Sequence, residues 1–192
     1  MTTTPAQVLD FWFEQLGPSA WFGGGPAVDE AIRARFAGAW RAARGGAFER
    51  WQATPEGSLA LLVILDQFSR HLHRGSGLSF ATDPRGLRTA RRALARGQDL
   101  AMPIEARRFF YLPFCHSERM PDQDRSVALF TRRLGLKDRR VNRAHALAHR
   151  AVIERFGRFP FRNDALGRET TPAEAAWLKD VGYMGEVRRF GG

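Results

Sequence analysis

Residues 54–77, TPEGSLALLVILDQFSRHLHRGSG, decide the fold. From Leu59 to Leu65 every side chain is apolar. A helix over this run has no face for water and must be enclosed by other elements. Further along, Leu61, Leu65, Phe68 and Leu72 fall on one narrow stripe. Asp66, Arg70 and His73 fall together on another arc, directly below Leu62 and Val63. An aspartate and an arginine four residues apart can pair across one turn. One reading is a structural ion pair where the helix emerges to solvent. The other is that Asp66, Gln67 and Arg70 face a cleft between helices, where burial demands a fixed partner for the carboxylate.

The flanking sequence carries helix punctuation throughout, and alternating strand-type runs are nearly absent. TPAQVLDFWFEQLGP starts at Thr4 and Pro5 and stops at Gly17-Pro18. After a glycine-rich loop a helix is expected from about Ala27 to Arg44, with Ile32, Phe36 and Trp40 as its apolar stripe. TDPRGLRTARRALARGQD is capped by Thr82 or Asp83 and ends at Gly97. MPIEARRFFYLPFCHSERMP reads as a helix interrupted at Pro113. MPDQDRSVALFTRRLG, KDRRVNRAHALAHRAVIERFG and TTPAEAAWLKD supply the rest, the last capped by Thr171, while GEVRRFGG is weakly specified. The expectation is an all-α chain of about eight helices in antiparallel pairs, forming one domain over 1–192 or at most two fused halves. No exact internal repeat shows.

Composition narrows the function. With 44% hydrophobic residues the 192-residue chain can bury a sizeable core. No apolar run reaches the roughly eighteen residues of a membrane span. Asp10 and Glu14 interrupt the N-terminal apolar stretch, so it reads as an amphipathic helix rather than a signal peptide. The single cysteine, Cys115, excludes an internal disulfide and a cysteine-based zinc site. A cytoplasmic location fits these features. The net charge is +10, yet Lys137 and Lys179 are the only lysines among 30 basic residues. That bias towards arginine is what GC-rich coding produces by itself. The excess is +3 over residues 1–100 (12 basic, 9 acidic) and +7 over 101–192 (18 basic, 11 acidic). An anionic partner follows from it, with nucleic acid as a weaker alternative.

Polar residues interrupt the apolar pattern at several further points. In FFYLPFCHSE, His116 and Glu118 follow a hydrophobic run broken by Pro113 and could form an oriented acid/base pair, or simply a hydrogen-bonded kink. Across Lys137–Phe156, Val141, Ala148, Val152 and Phe156 mark the apolar stripe, and His145 and His149 lie on it. Two histidines at this spacing can share a metal, but no HExxH accompanies them, and a hydrogen-bonded core role is the simpler reading. Arg85, Arg88, Arg92 and Arg96 share one arc of their helix, and RRLGLKDRRVNR, residues 132–143, is strongly basic. Either could meet phosphates or simply face solvent. ERFGRFPFRND, residues 154–164, interleaves arginine with phenylalanine. Arginine stacks on rings and binds carboxylate or phosphate in a fork, so this segment suits the rim of a polar pocket. No P-loop, GxGxxG, GxSxG or Cys/His metal set occurs, and no cofactor is expected.

Together VLDFWFEQLGP…WFGGGPAVDEAIRARF, LALLVILDQFSRHLHRG, FATDPRGL, RRFFYLPFCHSE and HRAVIERFGRFPFRNDALGRETTPAE resemble the bacterial domain-of-unknown-function family 924. The resemblance covers nearly the whole chain and implies a tetratricopeptide-like right-handed helical array with no established activity. It also implies signature polar positions at Asp66, Gln67, Arg70, His116, Glu118, His149, Arg155, Arg158, Arg162, Asn163 and Arg168. The chain departs from the family pattern at FSRH, where FPRN is common, and at Phe161, where histidine is common. If that histidine does chemistry in relatives, His71 or His73 could replace it here.

Three functions follow as expectations. In the first, a polar inter-helix pocket binds a small anionic ligand or acidic peptide, with Gln67, Arg70, Arg155, Arg158, Arg162, Asn163 and Arg168 as ligand contacts. In the second, a hydrolase-type enzyme uses His116 or His149 as base and Glu118 or Asp66 as orienting carboxylate. The third is an RNA-binding module with one contiguous basic face.

Overall fold

A computed structural model describes residues 3–21 and 23–192, with the side chains of residues 136–138 outside the description. The expectations at Phe22, Lys137 and Asp138 therefore lie outside the described residues. The chain is all-α, with no strand among the described residues. It divides into two compact units, Met1–Met102 and Pro103–Gly192.

In the first unit, α1 (Pro5–Leu9, widening into π-type turns over Asp10–Leu16) is followed by α2 (Pro18–Trp21), α3 (Gly25–Arg44), α4 and α5 (Asp83–Ala95). The central helix α4 is Pro55–Leu62, continued by π-type turns at Val63–Phe68 and by Ser69–Leu72. It packs against α1, α3 and α5 and against the 3-10 turn Glu49–Ala53. Leu59 through Leu65 are all at most 2% exposed, as expected of a run that is apolar on every side. Phe68 sits among Trp12, Phe36 and Phe11, with ring centroids 5.6, 4.8 and 6.2 Å away.

The widened turn displaces backbone groups from the ordinary helical ladder, and buried carbonyls need other donors. Thr82 donates its hydroxyl to the Leu65 carbonyl, and Arg70 donates to that of Asp66. The polar residues at this point of α4 are thus part of what closes the helix.

The second unit comprises α6 (Arg108–Cys115), α7 (Met120–Arg132), α8 (Leu136–Phe156), the 3-10 turn Pro160–Arg162, α9 (Asn163–Leu166), α10 (Pro172–Asp180) and α11 (Gly182–Arg189). Consecutive helices pack together, α6 with α7, α7 with α8 and α10 with α11, and α11 returns onto α8. That neighbour-on-neighbour packing roughly fits a tetratricopeptide-like array. Val152, Ile153, Phe159 and Trp177 form one buried cluster, flanked by Met120, Phe156 and Tyr183.

Three expectations need correction. Helix α6 runs through Pro113 to Cys115 instead of breaking there, at the cost of the N–H that Pro113 lacks. Val141 is 46% exposed, so the buried stripe of α8 starts at Ala144. The weakly specified tail folds as α11, anchored by Val187, which is 1% exposed. Among the described residues there are eleven helical segments, roughly the expected number once the short α2 and α9 are set aside. Among the described residues, no helix is long and apolar enough to cross a membrane.

Two glycines in helices separate tight from open backbone. A Cβ at Gly57 would run into the carbonyl oxygen of Trp51, whereas one at Gly38 would meet only the tip of Arg41 at 3.9 Å. Gly57→Ala is expected to destabilise the protein by about 1–3 kcal/mol. Gly38→Ala should stabilise it by up to about 1 kcal/mol. Urea denaturation of both variants checks the pair, and equal midpoints would contradict it.

Candidate functional site

Gly157, at φ 69°, ends α8 in the left-handed conformation and turns the chain into residues 158–171. This segment carries Arg158, Arg162, Asn163 and Arg168, and two carboxylates from flanking elements hold it. Glu118, just before α7, receives Arg168 in a fork, with Nη1 at 2.8 Å from Oε2 and Nη2 at 3.1 Å from Oε1. The Phe159 N–H donates to Oε1 of the same carboxylate at 2.8 Å. Burial raises the pKa of Glu118, but the bonds from Arg168 and Phe159 and the charge of Arg162 outweigh it and leave the group below the usual carboxylate range.

Glu174, 2% exposed in the first turn of α10, takes the second arginine. Arg158 donates Nε to Oε1 at 2.6 Å and Nη2 to Oε2 at 2.8 Å. The same carboxylate accepts the Thr171 N–H at 2.8 Å, closing a capping box, and the Asn163 amide at 3.3 Å. The bond from Arg158, helped by Thr171, lowers its pKa to about 2. Asn163 in turn accepts Arg168 Nε at 3.0 Å, which joins the two carboxylate clusters.

Arg162, 5% exposed, lies over the Phe159 ring at 4.4 Å and donates to the His116 carbonyl at 3.1 Å. Part of the interleaving in residues 154–164 is thereby explained: the Phe159 ring is buried while Arg158 and Arg162 reach a carboxylate and a carbonyl. Arg155 is exposed, its guanidinium over Phe156 at 4.9 Å.

The histidines form the adjoining cluster. His149 Nδ1 lies 2.9 Å from the His145 carbonyl, which can only accept, so that nitrogen carries the proton. Tyr183 donates its hydroxyl to His145 Nδ1 at 2.7 Å and accepts a longer contact from His149 at 3.1 Å. The ring centroids of His116 and His149 are 6.0 Å apart. Burial drives the His149 pKa well below its ordinary value, and the nearby His116 and Arg162 add to that. Burial likewise raises the phenol of Tyr183 and lowers His145. Phe161 is 43% exposed, stacked on Phe159 at 5.2 Å and edge-on to Tyr183 at 5.8 Å. Among the described residues, no three His, Cys, Asp or Glu side chains converge as a metal set.

Asp66, Gln67 and Arg70 belong to the first unit, in a network of their own. Arg70 contacts Asp66 at 3.1 Å and forks onto Asp83 at 3.1 and 3.2 Å, and Gln67 donates to Asp66. Burial lowers the pKa of Arg70, but Asp66 and Asp83 reverse that and raise it. In the same unit His71 pairs with Asp29 at 2.7 Å, Arg74 forks onto that aspartate, and His73 packs on Trp40. Sequence reasoning missed Asp83, Glu174 and Tyr183. Only Glu174 carries a legible signal, the Thr171-to-Glu174 capping-box spacing.

A family model described as a bacterial protein of unknown function, DUF924, matches residues 8–182. The chain belongs to this family. Its fold is also similar to a solved structure, the protein of unknown function ATU0120 from Agrobacterium tumefaciens. The two share 41% identity with a TM-score of 0.85, over 92% of this chain and 97% of the other. No curated protein matches.

In this DUF924 protein the carboxylate clusters set a pH dependence. The folded pKa of Glu174 lies below its unfolded value, so its contribution is complete above about pH 4.5 and disappears as pH falls towards about 2. Glu118 acts with the same sign. Glu174→Gln should lower the melting temperature at pH 7 and flatten its decline between about pH 4.5 and 2. A variant whose acid slope matches wild type would refute the assignment.

Proposed function

We propose that the second unit binds a small anionic ligand, or the acidic end of a peptide, beside Arg162, His116 and His149. One observation carries the reading. The hydrogen-bonded network contains three guanidinium groups, Arg158, Arg162 and Arg168, against two carboxylates, Glu118 and Glu174. The cluster is therefore rich in guanidinium groups, next to an imidazole that burial keeps neutral. Arg162, which reaches the His116 carbonyl, is the anion contact in this reading, and the exposed ring of Phe161 offers a neighbouring apolar surface. Thermal-shift titration with succinate, citrate and peptides ending in glutamate tests it. Wild type should be stabilised by at least one of them, and Arg162→Gln should bind it about tenfold or more weakly. Arg155→Gln, on the exposed face of α8, should bind it as wild type does. If no probe shifts wild type, or if folded Arg162→Gln binds equally, the reading fails.

A hydrolase-type activity is the second reading, favoured by the tautomer of His149. With the proton on Nδ1 and a depressed pKa, Nε2 keeps its lone pair at neutral pH, as a general base requires. The orienting groups are then the His145 carbonyl and Tyr183, because Glu118 is held by Arg168 and Phe159. On a panel of nitrophenyl esters and phosphates, activity should stay level from pH 8 to below 6.5 and vanish in His149→Gln. Loss of activity centred on pH 6.5 or above would exclude His149 as base.

A further inference from the structure

The arginine arc of α5 plays no part in that reading, and the structure gives it a place. A cavity of about 280 Å³ in the first unit is lined by Glu49, Arg50, Gln52, Ala53, Arg92 and Arg96. Arg92 and Arg96 lie one turn apart on α5, and Arg50 comes from the facing 3-10 turn Glu49–Ala53. Three guanidinium groups thus share one hollow with a single carboxylate, and that carboxylate is already met from behind by Arg85 at 2.6 Å. Two of the three are held in position. Arg96 donates to the Gln52 carbonyl at 2.9 Å, and Arg92 reaches Glu49 at 3.4 Å while its side chain stays 58% exposed. Gln52 is itself 5% exposed, and its amide donates to Glu49, so the floor of the hollow is fixed by burial and hydrogen bonding.

We propose that this cavity is a second anion site, separate from the one beside Arg162, and that it takes a phosphoryl group. A planar carboxylate has two oxygens and satisfies one guanidinium fork. A tetrahedral phosphoryl group has three or four, and can accept from Arg50, Arg92 and Arg96 at once. Inorganic phosphate and the phosphate of a small phosphomonoester present the same chemistry.

The test is calorimetric titration of the full chain with inorganic phosphate and with glycerol phosphate. Saturable binding is expected, weakening as sodium chloride rises. Arg50→Gln and Arg96→Gln change exposed side chains, so the fold should be retained, and each should weaken binding by about tenfold. Arg162→Gln should leave it unchanged. Stronger binding of glycerol phosphate than of phosphate would place a phosphomonoester in the site, and the reverse would place the free ion there. Absence of saturable binding overturns the proposal, as does equal binding by the Arg50 and Arg96 variants. Loss of phosphate binding in Arg162→Gln alone would move the ion to the second unit, sinking this site but not that one. Binding of single-stranded RNA that tightens with length and is not displaced by phosphate would make the arc a nucleic-acid face instead.

Discussion

A carboxylate removed from water must be met by a cation or by several hydrogen-bond donors, and the second unit is organised around that requirement. Glu118 and Glu174 lie far apart in sequence, yet both are completed by residues 158–171. The segment between α8 and α10 contains only one 3-10 turn and the single turn of α9, too little regular structure to fix its own path. Its course follows from where its arginines find their acids. Asn163 then joins the two pairs, so that Arg168 and Glu174 share a partner. Such coupling makes the contributions of Arg158, Asn163 and Arg168 non-additive.

The first unit solves the same problem with the opposite sign. Arg70 stands between Asp66 and Asp83, one guanidinium against two carboxylates, and it also closes a widened helical turn through the Asp66 carbonyl. There the polar residues complete the backbone of a helix that is buried around its whole circumference. In the second unit the arginines instead meet Glu118, Glu174 and backbone carbonyls. The family's signature polar positions therefore need not share one task. Those on α4 help close a widened helical turn, whereas Arg162 and His149 belong to the second unit's network.

How much of this was legible depended on range. The burial of Leu59–Leu65 could be read directly, because a run with no polar face allows one outcome. The pairing of Asp66 with Arg70 follows from their four-residue spacing. Asp83 could not be foreseen as the stronger partner, since nothing local records a contact thirteen positions away. The π-type widening escaped as well: one added residue per turn barely changes an apolar pattern. Pro113 misled because a proline was read as a break, whereas it removes one N–H and strains the preceding turn without having to end the helix. Glu174 was hidden by a correct but incomplete reading that stopped at Thr171 as the cap. Glu174 also carries Arg158.

Phe161 shows how the site could vary among relatives without change of fold. Its ring is stacked on Phe159 and meets Tyr183, so the position rewards a flat side chain whatever its polarity. An imidazole there would keep the stacking and add a titratable edge near Tyr183 and His149. Here that edge is absent, yet His116, His145 and His149 remain around Tyr183 and Phe159. Phe161 takes no part in the carboxylate–arginine frame, because that frame is built from Arg158 with Glu174 and Arg168 with Glu118.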